Sequence, residues 1–179
     1  MIQMKLNIIS VTIFFAISTS GCSNPSPSIQ KEIKEVESDW KKLEQKEYSI
    51  QYPATWEINQ SGHMGMSFSL LSPLESPQDK FRDNINLMCG DLKGYNIDLN
   101  KFVEANKTQF KSVLTNGNIL EGNTVKSGSN EYYKIIYTCD QGEFHLKIEQ
   151  YYWVINEKAY VLTFTTELDK FDGLKETGE

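Results

Sequence analysis

The sequence is poor in the residues that most often carry catalysis. Its 179 residues include only two histidines and three cysteines. It contains neither a G-x-S-x-G nucleophile motif nor a glycine-rich loop that would bind phosphate. Asp and Glu are abundant but scattered over positions predicted to be exposed, where carboxylates usually solvate the surface. We therefore expect a protein that is not an enzyme and has no cofactor. A hydrolase is the alternative, and a close, partly buried His–carboxylate pair in a cleft would be its first sign.

Positive charge is also in short supply. Lys and Arg total 18 against 24 Asp and Glu, which gives a formal net charge of −6. Nucleic-acid binding depends largely on cations that neutralise phosphates, and electrostatic docking to anionic lipid needs a basic patch. The charge balance argues against both.

No long hydrophobic run is present. The most apolar stretch, residues 6–17 (LNIISVTIFFAI), follows a single positive charge at Lys5. As a helix it would reach about 18 Å, well short of the roughly 30 Å hydrocarbon core of a bilayer. A charged start, a short apolar middle and small residues afterwards predict a secretory signal peptide over residues 1–21.

Thr19-Ser20-Gly21-Cys22 ends that segment and resembles the bacterial lipobox, whose Cys is acylated (with palmitate, for example) and becomes the first mature residue. Thr19 departs from the Leu, Val or Ile usual at this position. The alternative is a plain signal peptide that leaves Cys22 a thiol. We expect residues 22–37 to form the lipidated Cys, a Ser/Pro-rich tether and an N-terminal helix, and residues 38–179 the folded domain. The protein would then be exported and lipid-anchored to a bacterial membrane, with its domain in the periplasm or outside. Ser23, which is not Asp, favours the outer membrane in a Gram-negative cell.

Within the domain, apolar and polar residues alternate in a manner typical of strands. Strands are predicted at residues 131–139, 143–155 and 159–166, joined as an antiparallel meander. In the last two strands, one shared apolar face is predicted, formed by Phe144, Leu146, Ile148, Tyr160, Leu162 and Phe164. A helix is predicted over residues 98–114, with Asp98 as its N-cap and Asn116-Gly117 as its end. Residues 29–43 fit either a helix throughout or a helix followed by a strand at 40–43.

The segment YSIQYPATWEI (residues 48–58), with Trp40 ahead of it, resembles the opening of PsbP-like domains. The later order of strand, helix and three-strand meander is similar as well, over about residues 38–176. The resemblance implies an α+β fold in which a twisted antiparallel sheet of about six strands is flanked by helices, and it favours a strand at 40–43. Known members include the PsbP subunit of photosystem II and exported bacterial lipoproteins of unknown function. The final helix is predicted to stop after about two turns, shorter than usual in this family.

Cys89 and Cys139 both fall in the apolar phase of their predicted strands. Export to an oxidising compartment would favour a disulfide between them. The alternative is two buried thiols, which are common in protein cores.

The loop sequence GHMGM contains His63, Met64 and Met66, which are soft ligands of the kind that copper(I) prefers. A further ligand would have to come from Met88 or His145. The alternative is an ordinary surface loop.

Together these features predict a non-enzymatic, lipid-anchored cell-envelope protein that binds, or helps to assemble, another envelope protein. The alternative is a periplasmic protein that binds a small ligand or a metal through residues 63–66.

Overall fold

The structure is a computed structural model in which residues 39–128 and 130–178 are described. The predicted signal peptide, the tether and Cys22 lie outside these residues. Within them, no helix has the length and hydropathy needed to cross a membrane. The described chain divides into two compact units, residues 39–54 and residues 55–178.

The first unit is a β hairpin. Strand β1 (Trp40–Glu44) pairs antiparallel with β2 (Ser49–Pro53). In β2, Ile50 and Tyr52 are buried while Gln51 between them is exposed, as the two-residue period of a strand requires. The strand at residues 40–43 is therefore confirmed, and Pro53 ends the ladder because it has no N–H to donate.

The second unit is built on one antiparallel sheet of seven strands and carries two helices. In chain order its elements are β3 (Glu57–Asn59), a short 3₁₀ helix (His63–Gly65), β4 (Met66–Leu71), β5 (Asn84–Asp91), α1 (Leu99–Val113), β6 (Thr115–Ser127), β7 (Asn130–Gln141), β8 (Phe144–Ile155), β9 (Lys158–Glu167) and α2 (Phe171–Gly178). The strand order is β3-β4-β5-β9-β8-β7-β6. The predicted α+β class and the β7-β8-β9 meander are confirmed, with seven strands in place of about six.

Helix α1 begins as the sequence predicts. The Asp98 carboxylate accepts a hydrogen bond of 2.8 Å from the Lys101 N–H and caps the first turn. The predicted end of the helix at Asn116-Gly117 is wrong, because β6 starts at Thr115, directly after the cap residue Leu114. Asn116 lies inside β6 with φ of 51°, where the register of β6 on β7 shifts.

The prediction of one apolar face shared by β8 and β9 is wrong. Leu146 lies opposite Glu167 in the register, and Phe164 lies opposite Glu149. Residues directly paired across antiparallel strands share a face. Because Leu146 and Glu149 are an odd number of residues apart on one strand, Leu146 and Phe164 point to opposite faces, and the sheet buries apolar side chains on both.

Each face is covered by a different helix. Helix α1 packs its Leu99 and Val103 onto the face that carries Leu146 and two of the β7 tyrosines, Tyr133 and Tyr137. On the other face, the ring of Phe171 in α2 lies 5.9 Å from the ring of Phe164. This second contact explains why so short a C-terminal helix is held in place.

The predicted disulfide between Cys89 and Cys139 is wrong. Cys89 is exposed on β5, Cys139 is buried on β7, and the two are not bonded to each other. Strands β9 and β8 lie between them, so the two strands are three spacings, or about 14 Å, apart, and the residues themselves are at least that far from each other. A disulfide requires Cα atoms within about 7 Å.

Candidate functional site

Strand β6 is a long and exposed edge of the sheet. Among the described residues it pairs only with β7, and twelve of its thirteen residues are exposed. The exposed fraction is 43% for Ile119 and 47% for Leu120. An edge strand presents a row of backbone N–H and C=O groups that can pair with another extended chain.

Local sequence explains the shape of this edge. A second register shift lies between Ile119 and Glu121, so Leu120 is the extra residue of a β-bulge. Gly122 lies against the hydroxyl of Tyr133, and a Cβ atom at position 122 would collide with that hydroxyl. Bulges of this kind twist an edge and limit indiscriminate pairing.

A histidine–carboxylate pair lies at the turn between β7 and β8. His145 Nδ1 is 2.6 Å from Asp140 Oδ1, and the Asn116 amide donates to Asp140 Oδ2 at 2.6 Å. Hydrogen bonds from Asn116 and His145 hold the pKa of the Asp140 carboxyl below its usual range. The His145 side chain is 76% exposed, so a substrate bound there would remain in contact with water. The two groups are close, but His145 lies on the surface, so the partly buried pair in a cleft that would first indicate a hydrolase is not found here.

A buried charge pair lies on the sheet itself. Lys134 Nζ is 2.5 Å from Glu149 Oε1, and the Tyr151 hydroxyl donates to the same oxygen at 2.5 Å. Glu149 is fully buried, and within the described residues its Oε2 has no hydrogen-bond partner. Beside the pair, Tyr151 stacks on Trp153 with ring centroids 5.9 Å apart. The prediction that acidic residues lie on exposed faces is wrong here, and it is also wrong for the buried Asp83.

An acidic cavity of about 460 Å³ opens beside the loop between β4 and β5. At its wall, Lys170 binds Glu167 at 2.9 Å, Glu75 at 3.2 Å and Asp79 at 3.6 Å. These carboxylates, Glu167 first, raise the pKa of Lys170. Backbone N–H groups of Glu75 and Phe81, aided by Lys170, lower the pKa of Asp79. The lysine already occupies the place that a cation would take among these carboxylates.

The predicted metal loop has a defined geometry. His63 and Met66 line the same small cavity, whose volume is about 40 Å³. Met88 lies directly opposite Met66 in the β4–β5 register, whereas His145 lies on β8, away from the two strands that carry the methionines. Met64 is 76% exposed. No group of three or more His, Cys, Asp or Glu side chains in the described part of the chain could hold a metal, so only the soft ligands are candidates.

Sequence reasoning missed two of these features, the Asp140–His145 pair and the burial of Glu149. Asp140 lies in the predicted turn at residues 140–142 and His145 lies just beyond it, so the sequence indicates that the two are near each other. Met88 is among the predicted candidate ligands, but nothing in a single sequence places it opposite Met66. Glu149 reads as a surface residue between Ile148 and Gln150, and only the cross-strand register shows that it is buried.

Comparisons with known proteins support the fold. No protein-family model matches the chain, and no curated protein matches it. Among solved structures, cyanobacterial PsbP (CyanoP) from Synechocystis sp. PCC 6803 is similar with a TM-score of 0.57 and 13% identity, over 78% of this chain and 87% of that one. LpqN, involved in cell envelope biogenesis of Mycobacterium tuberculosis, has a TM-score of 0.53 and 15% identity, over 70% and 74%. A Pseudomonas aeruginosa protein of unknown function has a TM-score of 0.54 and 11% identity, over 78% and 90%. The chain has a PsbP-like fold.

Proposed function

We propose that this protein is a non-enzymatic, lipid-anchored component of the cell envelope, and that it binds an extended segment of another envelope protein along β6. The observation that carries the proposal is the exposed thirteen-residue edge with Ile119 and Leu120 on its surface. Addition of a strand to a sheet edge draws affinity from backbone hydrogen bonds and specificity from side-chain contacts. The net charge of −6 favours a neutral or basic partner segment.

The anchor in this proposal is Cys22. Its support is the order of charge, apolar run, small residues and Cys in the sequence. The chain from Cys22 to the first described residue, Asp39, spans at most about 60 Å when fully extended. That reach would let β6 meet partners at or near the membrane surface.

An envelope role is also supported by analogy. LpqN is described as involved in cell envelope biogenesis, and cyanobacterial PsbP has a similar fold. At identities of 13 to 15% such likeness carries the fold only, and fold does not fix function. The exposure of His145 supports the non-enzymatic part of the proposal, because a catalytic pair usually works in a site that excludes water.

The test compares two lysine substitutions on matched leucines. Leu120→Lys places a charge in the middle of β6, and lysine on an edge strand opposes pairing. Leu168→Lys is the control, because Leu168 is 48% exposed and Leu120 47%. In pull-downs from crosslinked membranes, Leu120→Lys should recover the partner at least about tenfold less well, equivalent to roughly 1.4 kcal/mol. Equal recovery by the two variants would contradict the proposed surface.

A third variant separates the anchor from the surface. Cys22→Ala should move the protein from the membrane fraction to the soluble fraction while leaving β6 intact. If Cys22→Ala stays membrane-bound, the anchor is wrong, whatever the result for Leu120.

A further inference from the structure

Outside residues 1–21, the chain has only three methionines, Met64, Met66 and Met88. Two of them face each other: Met66 at the start of β4 is the register partner of Met88 on β5. Directly opposed residues on one face have Cβ atoms about 5 Å apart. Two flexible thioether side chains at that spacing can reach one common point.

A nitrogen ligand lies beside Met66, the member of the pair that lines a small cavity. His63, one of only two histidines in the chain, lines the cavity of about 40 Å³ that Met66 also lines. A single water-sized sphere needs at least about 10–15 Å³, so the cavity has room for an ion. Its other walls come mainly from small polar residues, Asn59, Ser61 and Ser69.

The backbone of this loop is held in an unusual shape. Met64 has φ of 53°, between Gly62 at 73° and Gly65 at 77°. A left-handed conformation costs a non-glycine residue about 1–2 kcal/mol, and such strain is concentrated at functional sites. A hydrogen bond of 2.8 Å from the Ser61 N–H to the Asn59 side chain braces the entry to the loop. The conformation leaves Met64 76% exposed next to the His63 and Met66 ligands.

We propose that His63, Met66 and Met88 form a binding site for copper(I), with Met64 as an additional thioether ligand at its mouth. Thioether sulfur selects copper(I) over harder divalent cations, and imidazole nitrogen is compatible with copper. Met88 is 46% exposed, so the ion can enter from solvent. The site only binds the ion, and no electron is transferred. It is independent of the proposed partner surface, because β6 lies at the far edge of the same sheet.

The experiment uses the full-length protein in detergent and silver(I) as a copper(I) probe that does not change its oxidation state. Thiols are first blocked with N-ethylmaleimide, because Cys89 is exposed and a thiolate would compete for the soft ion. Silver(I) is then titrated while the ¹³C-methyl signals of the methionines and the heat of binding are recorded. One equivalent should bind and should shift the signals of Met66 and Met88.

The variants identify the ligands. Met66→Leu/Met88→Leu conserves volume and should weaken binding by more than the roughly 10- to 100-fold typical for loss of an outer-shell partner. His63→Ala should weaken it too, whereas His145→Ala, the matched control, should not. Thermal unfolding of each variant verifies that it is folded. Met64→Leu tests the additional thioether ligand at a residue that is too exposed to affect folding. The proposal is overturned if wild type does not bind silver(I), or if the double leucine variant binds as well as wild type.

Discussion

The buried ion pair between Lys134 and Glu149 is the contact whose loss should cost most. The two charged atoms are 2.5 Å apart, with the Lys134 side chain 18% exposed and that of Glu149 not exposed at all. Lys134→Met keeps an unbranched side chain and removes its charge. Glu149 would then be a buried carboxylate that still accepts a hydrogen bond from the Tyr151 hydroxyl.

The expected loss in the free energy of unfolding depends on the contacts that Glu149 keeps in the variant. Breaking a buried ion pair by removal of one partner typically destabilises a protein by about 3–5 kcal/mol. The hydrogen bond from Tyr151 still stabilises the carboxylate, and bonds to charged groups contribute about 1.5–3 kcal/mol. We therefore expect the lower end, about 3 kcal/mol. For a domain of this size that corresponds to a fall in Tm of about 10 °C.

Urea unfolding followed by tryptophan fluorescence measures this loss. Lys80→Met is the matched control, because Lys80 pairs with Glu143 at 3.4 Å with both side chains more than 60% exposed, and exposed pairs contribute at most about 1 kcal/mol. The double variant Lys134→Met/Glu149→Leu removes both charges and should recover most of the stability. If Lys134→Met costs no more than Lys80→Met, the account of the buried pair is refuted.

Three further outcomes are expected. Burial raises the pKa of the Asp83 carboxyl above its usual value of about 3.8, so the folded state binds this proton more tightly than the unfolded chain does. Wild type should therefore gain stability relative to Asp83→Asn as the pH falls from the raised pKa towards 3.8. If urea titrations give the same difference in the free energy of unfolding across this pH range, the prediction is contradicted. N-ethylmaleimide should modify Cys89 in the native protein and Cys139 only after unfolding, because burial shields Cys139 and raises its pKa; recovery of a peptide in which the two are disulfide-linked would refute the strand order. Gly122→Ala should lower the free energy of unfolding by about 1–3 kcal/mol, because the new methyl group collides with Tyr133; an unchanged urea midpoint would contradict it.

The elements that the sequence predicts well are those with one buried face or a clear cap. Asp98 and the apolar stripe of α1 locate that helix, and the alternation in β5 and β7 locates those strands. Strand β6 carries no such signal. Its side chains are exposed on both faces, so TNGN at its start reads as a turn and no hydrophobic period marks the remainder.

The face of the sheet that a side chain occupies, and its neighbours on other strands, could not be predicted from the sequence for a different reason. The apolar phase of β8 and that of β9 are each readable, but a shift of one residue in their pairing exchanges the faces. The β8–β9 register places Glu149 opposite Phe164, and the separate β4–β5 register places Met88 opposite Met66. A tight hairpin turn shows that Asp140 and His145 lie near each other, whereas β4 and β5 are joined by a twelve-residue loop (residues 72–83) that hides their register.

The most direct test of the proposed function places a photoreactive amino acid at position 120 or at position 168 in living cells. Position 120 lies on the edge strand β6, and position 168 is the equally exposed control. If a partner binds along β6 of the anchored protein, one dominant crosslinked protein should form from position 120. It should be absent from position 168 and lost in the Cys22→Ala background. Equal crosslinking from both positions, or none from position 120, would contradict it.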